Sequence, residues 1–161
     1  MSLQSAIEAL AAAGAQADRA EARAAFDQLK VALEDGSIRS AEPDSSSPTG
    51  WRVNTWVKQG ILLGFRFGDV VDQSAGLPFY DKDTQTVQRF SPASNIRIVP
   101  GGSAVRGGAH LGRGVICVPP MYINIGAYIG EGSLVDSHAL FGSCAQFGAG
   151  VHVSAAAQIG G

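Results

Sequence analysis

The second half of this chain repeats every six residues, and that period restricts its fold more than any other feature. Counting in sixes from Val105 meets Leu111, Cys117, Ile123, Ile129, Val135, Phe141, Phe147, Val153 and Ile159, all apolar. The chain is 45% hydrophobic, so ten successive apolar positions arise by chance with a probability of roughly 0.0003 in one register. The pattern is therefore structural. A period of six belongs to the coils of a parallel β-helix. A helix with a six-residue pattern is excluded by glycine: fourteen of the 21 glycines lie after residue 100, and each would cost a helix interior about 1 kcal/mol.

Each hexad predicts one short strand and one corner of a triangular prism, with the recurrent apolar side chain inside. The next position holds Gly112, Gly130, Gly142, Gly148 or Gly160, and elsewhere Asn124, Asp136 or Ser154. Glycine there is expected to meet the corner's unusual dihedrals. Four residues after the apolar position come Ala109, Val115, Met121, Ala127, Ser133, Ala139, Ala145, Val151 and Ala157, small or apolar side chains expected to pack near the turn. Three hexads make a coil, so residues 105–158 hold three coils. A solenoid needs a cap at each end. The N-terminal half is expected to cap one. The sequence stops within a hexad at Gln158-Ile159-Gly160-Gly161, so the solenoid is expected to be truncated there, with further coils to follow.

Glycine rises and charge falls near Val99–Gly102, which predicts two units: an α/β domain over 1–98 and the β-helix over 99–161. In the first, residues 3–13 and 18–34 carry apolar side chains at helical spacing, and Gly14 and Gly36 are expected to stop these helices. Residues 37–50 are rich in Ser, Pro and Asp and read as a mobile loop. Residues 51–67 fit a helix or two short strands, and the helix is the favoured reading because Val53, Trp56, Val57, Gly60, Ile61 and Gly64 then share a face, the glycines permitting close packing. A turn and a short strand are expected within 78–92, and a strand at 95–99.

A net charge of −2, with few and scattered basic residues, argues against a nucleic-acid surface. The start of the chain lacks the basic and apolar regions of a secretory signal. The longest apolar run is far too short to cross a bilayer. A cytoplasmic protein without nucleic-acid or membrane partners is expected. Cys117 and Cys144 form no C-x-x-C pair and read as reduced, mostly buried thiols. The Gly-x-Gly stretches are repeat corners and lack the rest of a phosphate-loop motif.

Three segments go beyond the period. The run from Met121, MYINIGAYIGEGSLVDSHALFGSCAQFGAGVHVSAAAQIGG, resembles the signature region of the tetrahydrodipicolinate N-succinyltransferases. VNTWVKQGILLGFR (53–66) and RIVPGGSAVRGGAHLGRGVICVPP (97–120) are similar to that family's helix and first coils. The resemblance implies a left-handed β-helix, since the period itself carries no hand. It also implies a homotrimer with acyl-CoA lying between neighbouring solenoids. The implied reaction moves a succinyl group from succinyl-CoA, a co-substrate rather than a bound cofactor, to the amino group of ring-opened tetrahydrodipicolinate. That step belongs to lysine and diaminopimelate biosynthesis. This sequence departs from many members at Gly130 (Asp), His138 (Trp) and Ala155-Ala156-Ala157-Gln158 (a Gly-rich run), and reads as a branch of the family.

Two positions carry over. Asp136, in Leu134-Val135-Asp136-Ser137, matches the acidic catalytic residue that engages the acceptor's amino group. Arg97, in Ile96-Arg97-Ile98-Val99-Pro100, matches the acceptor-binding arginine. A second acidic residue of the family's chemistry is expected beyond Gly161. By the repeat alone, Asp136 is a solvated corner residue and Arg97 a surface or ion-paired arginine. The chemistry fits the functional reading as well: a carboxylate can hold an ammonium and assist its deprotonation, and a guanidinium fork suits a carboxylate. Arg106 and Arg113 are further candidates for anionic groups. His110 and His152 lie seven hexads apart and so fall on different faces, which argues against a metal site within one chain; some hexapeptide acyltransferases use a catalytic histidine, and His152 is a minor candidate for that role. His138, two residues from Asp136 on the expected strand, is a candidate for the acceptor pocket. Two other readings stand beside the succinyltransferase: another hexapeptide acyltransferase with acetyl-CoA as donor, and a non-catalytic β-helix fragment.

Overall fold

The structure, a computed structural model, describes residues 2–74 and 78–161. Two helices open the chain, α1 (Leu3–Ala13) and α2 (Arg19–Glu34). Each has a side-chain cap: the Ser2 hydroxyl accepts from the Ser5 amide and the Asp18 carboxylate from the Glu21 amide, satisfying amides that lack a helical partner. Gly14 and Gly36 follow them with positive φ of 60° and 79°, a backbone conformation that glycine adopts without a Cβ penalty.

The expected mobile loop contains a strand. β1 (Ala41–Pro43) pairs antiparallel with β2 (Trp51–Val53). The helix expected over 51–67 is therefore shorter, α3 (Thr55–Phe67), and Val53 is an exposed strand residue. The glycine face is as expected. A Cβ on Gly60 would lie 2.4 Å from Leu29, and one on Gly64 2.4 Å from the Phe26 ring, so α3 rests directly on α2. A second hairpin joins β3 (Val70–Asp72) to β4 (Tyr80–Lys82).

The rest is a solenoid of parallel two-residue strands making about four turns. One face stacks β5 (Arg97–Ile98), β8 (Ile116–Cys117), β11 (Leu134–Val135) and β14 (His152–Val153). The second stacks β6 (Ala104–Val105), β9 (Tyr122–Ile123), β12 (Leu140–Phe141) and β15 (Gln158–Ile159), and the third β7 (His110–Leu111), β10 (Tyr128–Ile129) and β13 (Gln146–Phe147). In each strand the second residue points inward, as the two-residue alternation requires. Cys117, Ile123, Ile129, Val135 and Phe141 are fully buried, and the small residues from Ala109 to Ala145 line the corners beside them. Burial in this apolar column pushes the Cys117 thiol up to about 12; Cys144 is partly exposed at a corner.

The corner glycines act differently from expectation. The left-handed residue falls three places after the inward one, at Gly108, Gly114, Gly126, Gly132, His138, Cys144, Gly150 and Ala156. Gly112 and Gly130, directly after the inward residue, are needed for space. A Cβ there would meet the next coil's backbone at 2.5 Å and 2.4 Å, at Glu131 and Ala149.

The helices do not cover the end of the prism. Their core takes in Ile125 from a solenoid corner, with Cys144 packed beside it. His110 Nδ1 lies 2.9 Å from the Glu34 carbonyl oxygen, and Arg39 donates to Gln146. It is the segment around Phe90 and Ile96 that packs against the solenoid's own core. Its backbone joins the first coil through Gln88 N to Val105 O and Gly107 N to Thr86 O.

Candidate active site

The site sits on the face formed by β5, β8, β11 and β14. Arg97, Ile116, Leu134 and His152 occupy one continuous ladder of paired positions. Val135 and Val153 point inward, so their neighbours Leu134 and His152 project outward, and Asp136 leaves the strand on the same side. Asp136 is fixed by its own amide, which donates to the Val153 carbonyl at 3.0 Å. Strands stack about 4.8 Å apart, which puts the backbones of Arg97 and Asp136, two coils apart, about 12 Å from each other. The two residues carried over from the sequence thus share one outer face.

Their surroundings differ. Asp136 is partly buried: Oδ1 accepts from the Ser137 amide at 2.8 Å, and Oδ2 faces His152 Nε2 at 3.5 Å. Arg97 is exposed, and among the described residues its guanidinium makes no hydrogen bond or ion pair. It lies between two open grooves, one of about 380 Å³ bounded by Asn95, Gly114 and Ile116, the other of about 620 Å³ bounded by Gln88, Phe90 and Ile98. A cation and a fixed carboxylate on one face, their backbones about 12 Å apart, can bind the two ends of a small molecule bearing both a carboxylate and an amine.

The remaining candidates separate clearly. Arg106 is occupied, pairing with Asp81 at 2.7 Å and donating to the Tyr122 hydroxyl at 2.7 Å, so it braces β4 against the solenoid. Arg113 is exposed at a corner. His110 stacks on Tyr128 at 4.4 Å and holds the helical domain. His110 and His152 do lie on different faces. His138 is not on the strand with Asp136: that strand ends at Val135. His138 stands in the corner with φ 62° and lines a groove of about 290 Å³ with Tyr122 and Leu140 on the next face. No group of three metal-binding side chains occurs among the described residues. A cavity of about 710 Å³ between α1 and α2 is walled mainly by alanine and leucine. It lies apart from all these residues.

The approach of His152 to Asp136 was missed by sequence reasoning. The signal was present: residues eighteen apart are neighbours in adjacent coils, and these two differ by sixteen, which makes them diagonal neighbours.

A helical domain docked on a hexad-built solenoid, with charged residues from successive coils on one outer face, defines a hexapeptide-repeat solenoid protein. Residues 2–67 match the family model described as tetrahydrodipicolinate N-succinyltransferase N-terminal. Curated proteins named 2,3,4,5-tetrahydropyridine-2,6-dicarboxylate N-succinyltransferase match over more of the chain. The protein from Xylella fastidiosa strain Temecula1 is 44% identical over 135 residues, 80% of this chain and 47% of its own length. That from Polynucleobacter asymbioticus is 40% identical over 148 residues, 88% and 52%. That from Idiomarina loihiensis is 38% identical over 158 residues, 91% and 56%. Over most of its length the chain is similar to proteins of that name, and residues 2–67 match the N-terminal model of the family. It spans about half the length of the curated relatives it matches.

Proposed function

We propose that this chain carries the acceptor-binding part of an N-succinyltransferase. The reaction passes the succinyl group of succinyl-CoA to the amino group of ring-opened tetrahydrodipicolinate, giving N-succinyl-2-amino-6-oxopimelate and CoA in lysine and diaminopimelate biosynthesis. The observation that carries this reading is the placement of Arg97 and Asp136 on one solenoid face, in a chain whose relatives bear that enzyme's name. Arg97 holds a carboxylate of the acceptor through its two-pronged guanidinium. Asp136 holds the amino group and assists removal of its proton, which frees the nitrogen lone pair for attack on the thioester.

In this reading the protein works in the cytoplasm as a homotrimer, with succinyl-CoA entering as a co-substrate along the groove between neighbouring solenoids. No nucleic acid or membrane takes part. No helix among the described residues is long and apolar enough to cross a membrane.

The test follows thiol release from succinyl-CoA with tetrahydrodipicolinate, on the full natural chain containing these residues, with acetyl-CoA as the comparison donor. The expected result is succinyl-dependent release that falls at least about 100-fold in Asp136→Asn while the oligomer persists. Release from acetyl-CoA instead would assign another hexapeptide acyltransferase. Silence with both donors from a folded oligomer would leave a non-catalytic solenoid.

A further inference from the structure

The neighbour of Asp136 on the next coil is an imidazole, and their geometry is specific. Leu134 and His152 are paired residues of adjacent parallel strands, and Val135 pairs with Val153. The Asp136 amide extends this pairing one step by donating to Val153. The backbone therefore fixes both side chains on the same outer face. The carboxylate accepts one hydrogen bond at Oδ1, from the Ser137 amide at 2.8 Å, and His152 Nε2 stands 3.5 Å from Oδ2, within ion-pair range but not hydrogen-bonded. The far side of the imidazole is open: the His152 side chain is 59% exposed against 34% for Asp136.

We propose that His152 is the positioning and proton-relay partner of Asp136, an inference that rests on the acceptor-site reading above. A carboxylate that takes a proton from an ammonium must pass it on before the next turnover. An imidazole is chemically able to accept a proton from a carboxyl group, and the placement of His152 at Oδ2 puts one within reach. With Nδ1 protonated, the Nε2 lone pair faces Asp136 Oδ2 and can receive that proton, and the exposed Nδ1 side returns a proton to water.

One ammonium proton passes through Asp136 and His152 to solvent. The freed nitrogen lone pair forms the C–N bond at the thioester carbonyl, and the C–S bond breaks with its electron pair leaving on sulfur. The second nitrogen proton, lost from the tetrahedral intermediate, ends on the CoA thiolate. The products are the amide, the thiol and one proton in water.

The experiment compares His152→Ala, His152→Gln and Asp136→Asn with the wild type in the succinyl-CoA assay, on the full natural chain, with and without added imidazole. His152→Gln keeps a polar contact to Asp136 but cannot relay a proton. Both His152 variants are expected to lose at least about 100-fold in kcat, with KM for the acceptor within about threefold. Imidazole is expected to restore His152→Ala in proportion to its concentration and to leave His152→Gln slow, its space being filled. Wild-type turnover in His152→Gln would overturn the relay, and so would a slow His152→Ala that imidazole does not restore. Either result leaves the acceptor-site reading intact as long as Asp136→Asn is inactive. A wild-type protein that does not use succinyl-CoA, or an active Asp136→Asn, overturns that reading itself.

Discussion

At the residue scale, the same charged types serve quite different ends in this chain. Arg97 lies in a groove without a partner among the described residues, Arg106 is tied to Asp81 and Tyr122, and Arg23 clamps Asp83 with two bonds of 3.2 and 2.7 Å. That clamp, helped by the Asp69 amide, lowers the Asp83 carboxyl from 3.8 to about 2. Because the folded-state value is depressed, the pair stabilises the fold above the ordinary carboxylate range and stops doing so as pH falls from about 4 to 2. Asp83→Asn is expected to be less stable at neutral pH, and its stability should change less between pH 4 and 2 than that of the wild type. Urea unfolding at several pH values checks this, and parallel acid limbs would show that Asp83 contributes nothing there. The pair is about a third exposed, so salt is expected to weaken the effect. None of these partnerships was legible in the sequence. Asp81 and Arg106 are far apart along the chain, and nothing local marks one arginine as engaged and another as available.

At the scale of the element, local rules carried further. Hexad periodicity gave the strands, because each short strand needs only its own inward residue to define its face. Gly60 and Gly64 announced close packing, and α3 does lie against Leu29 and Phe26. Gly64→Ala places a methyl 2.4 Å from a fully buried ring. The gain in helix propensity is about 1 kcal/mol, and overpacking of a tight core costs about 1–3 kcal/mol. A net loss of up to about 2 kcal/mol is expected in denaturant unfolding, and a raised midpoint would mean that α2 and α3 separate readily. Strand β1 was illegible because its surroundings are rich in Ser, Pro and Asp. It survives as one side of an isolated hairpin, where Pro43 is tolerated on an edge. The corner glycines were seen but misread, since the second reason for glycine, contact with the next coil's backbone, appears only once coils are stacked.

At the scale of the whole molecule, the helical domain and the solenoid share a core at one corner. Ile125 is fully buried, yet it belongs to the helices' cluster rather than the prism's. Its outward direction is forced by the corner, where Gly126 has φ 77° and lies against Ile61. Ile125→Ala is expected to cost about 2–5 kcal/mol. It should loosen the helices from the solenoid, so that calorimetry finds the helical part melting first. A single transition with an unshifted midpoint would show that the corner contact does not couple the two.

The sequence by itself determined the solenoid, its inward column, the helices and the resemblance that marks Arg97 and Asp136. Each of these depends on residue type at a spacing within one short stretch of chain. Only the tertiary structure decided which residues meet: His152 beside Asp136, Asp81 on Arg106, and Ile125 inside the helical core. Those meetings depend on the stacking of coils eighteen residues apart and on the corner where the helices dock. Both are set by packing over the whole chain rather than by any local pattern.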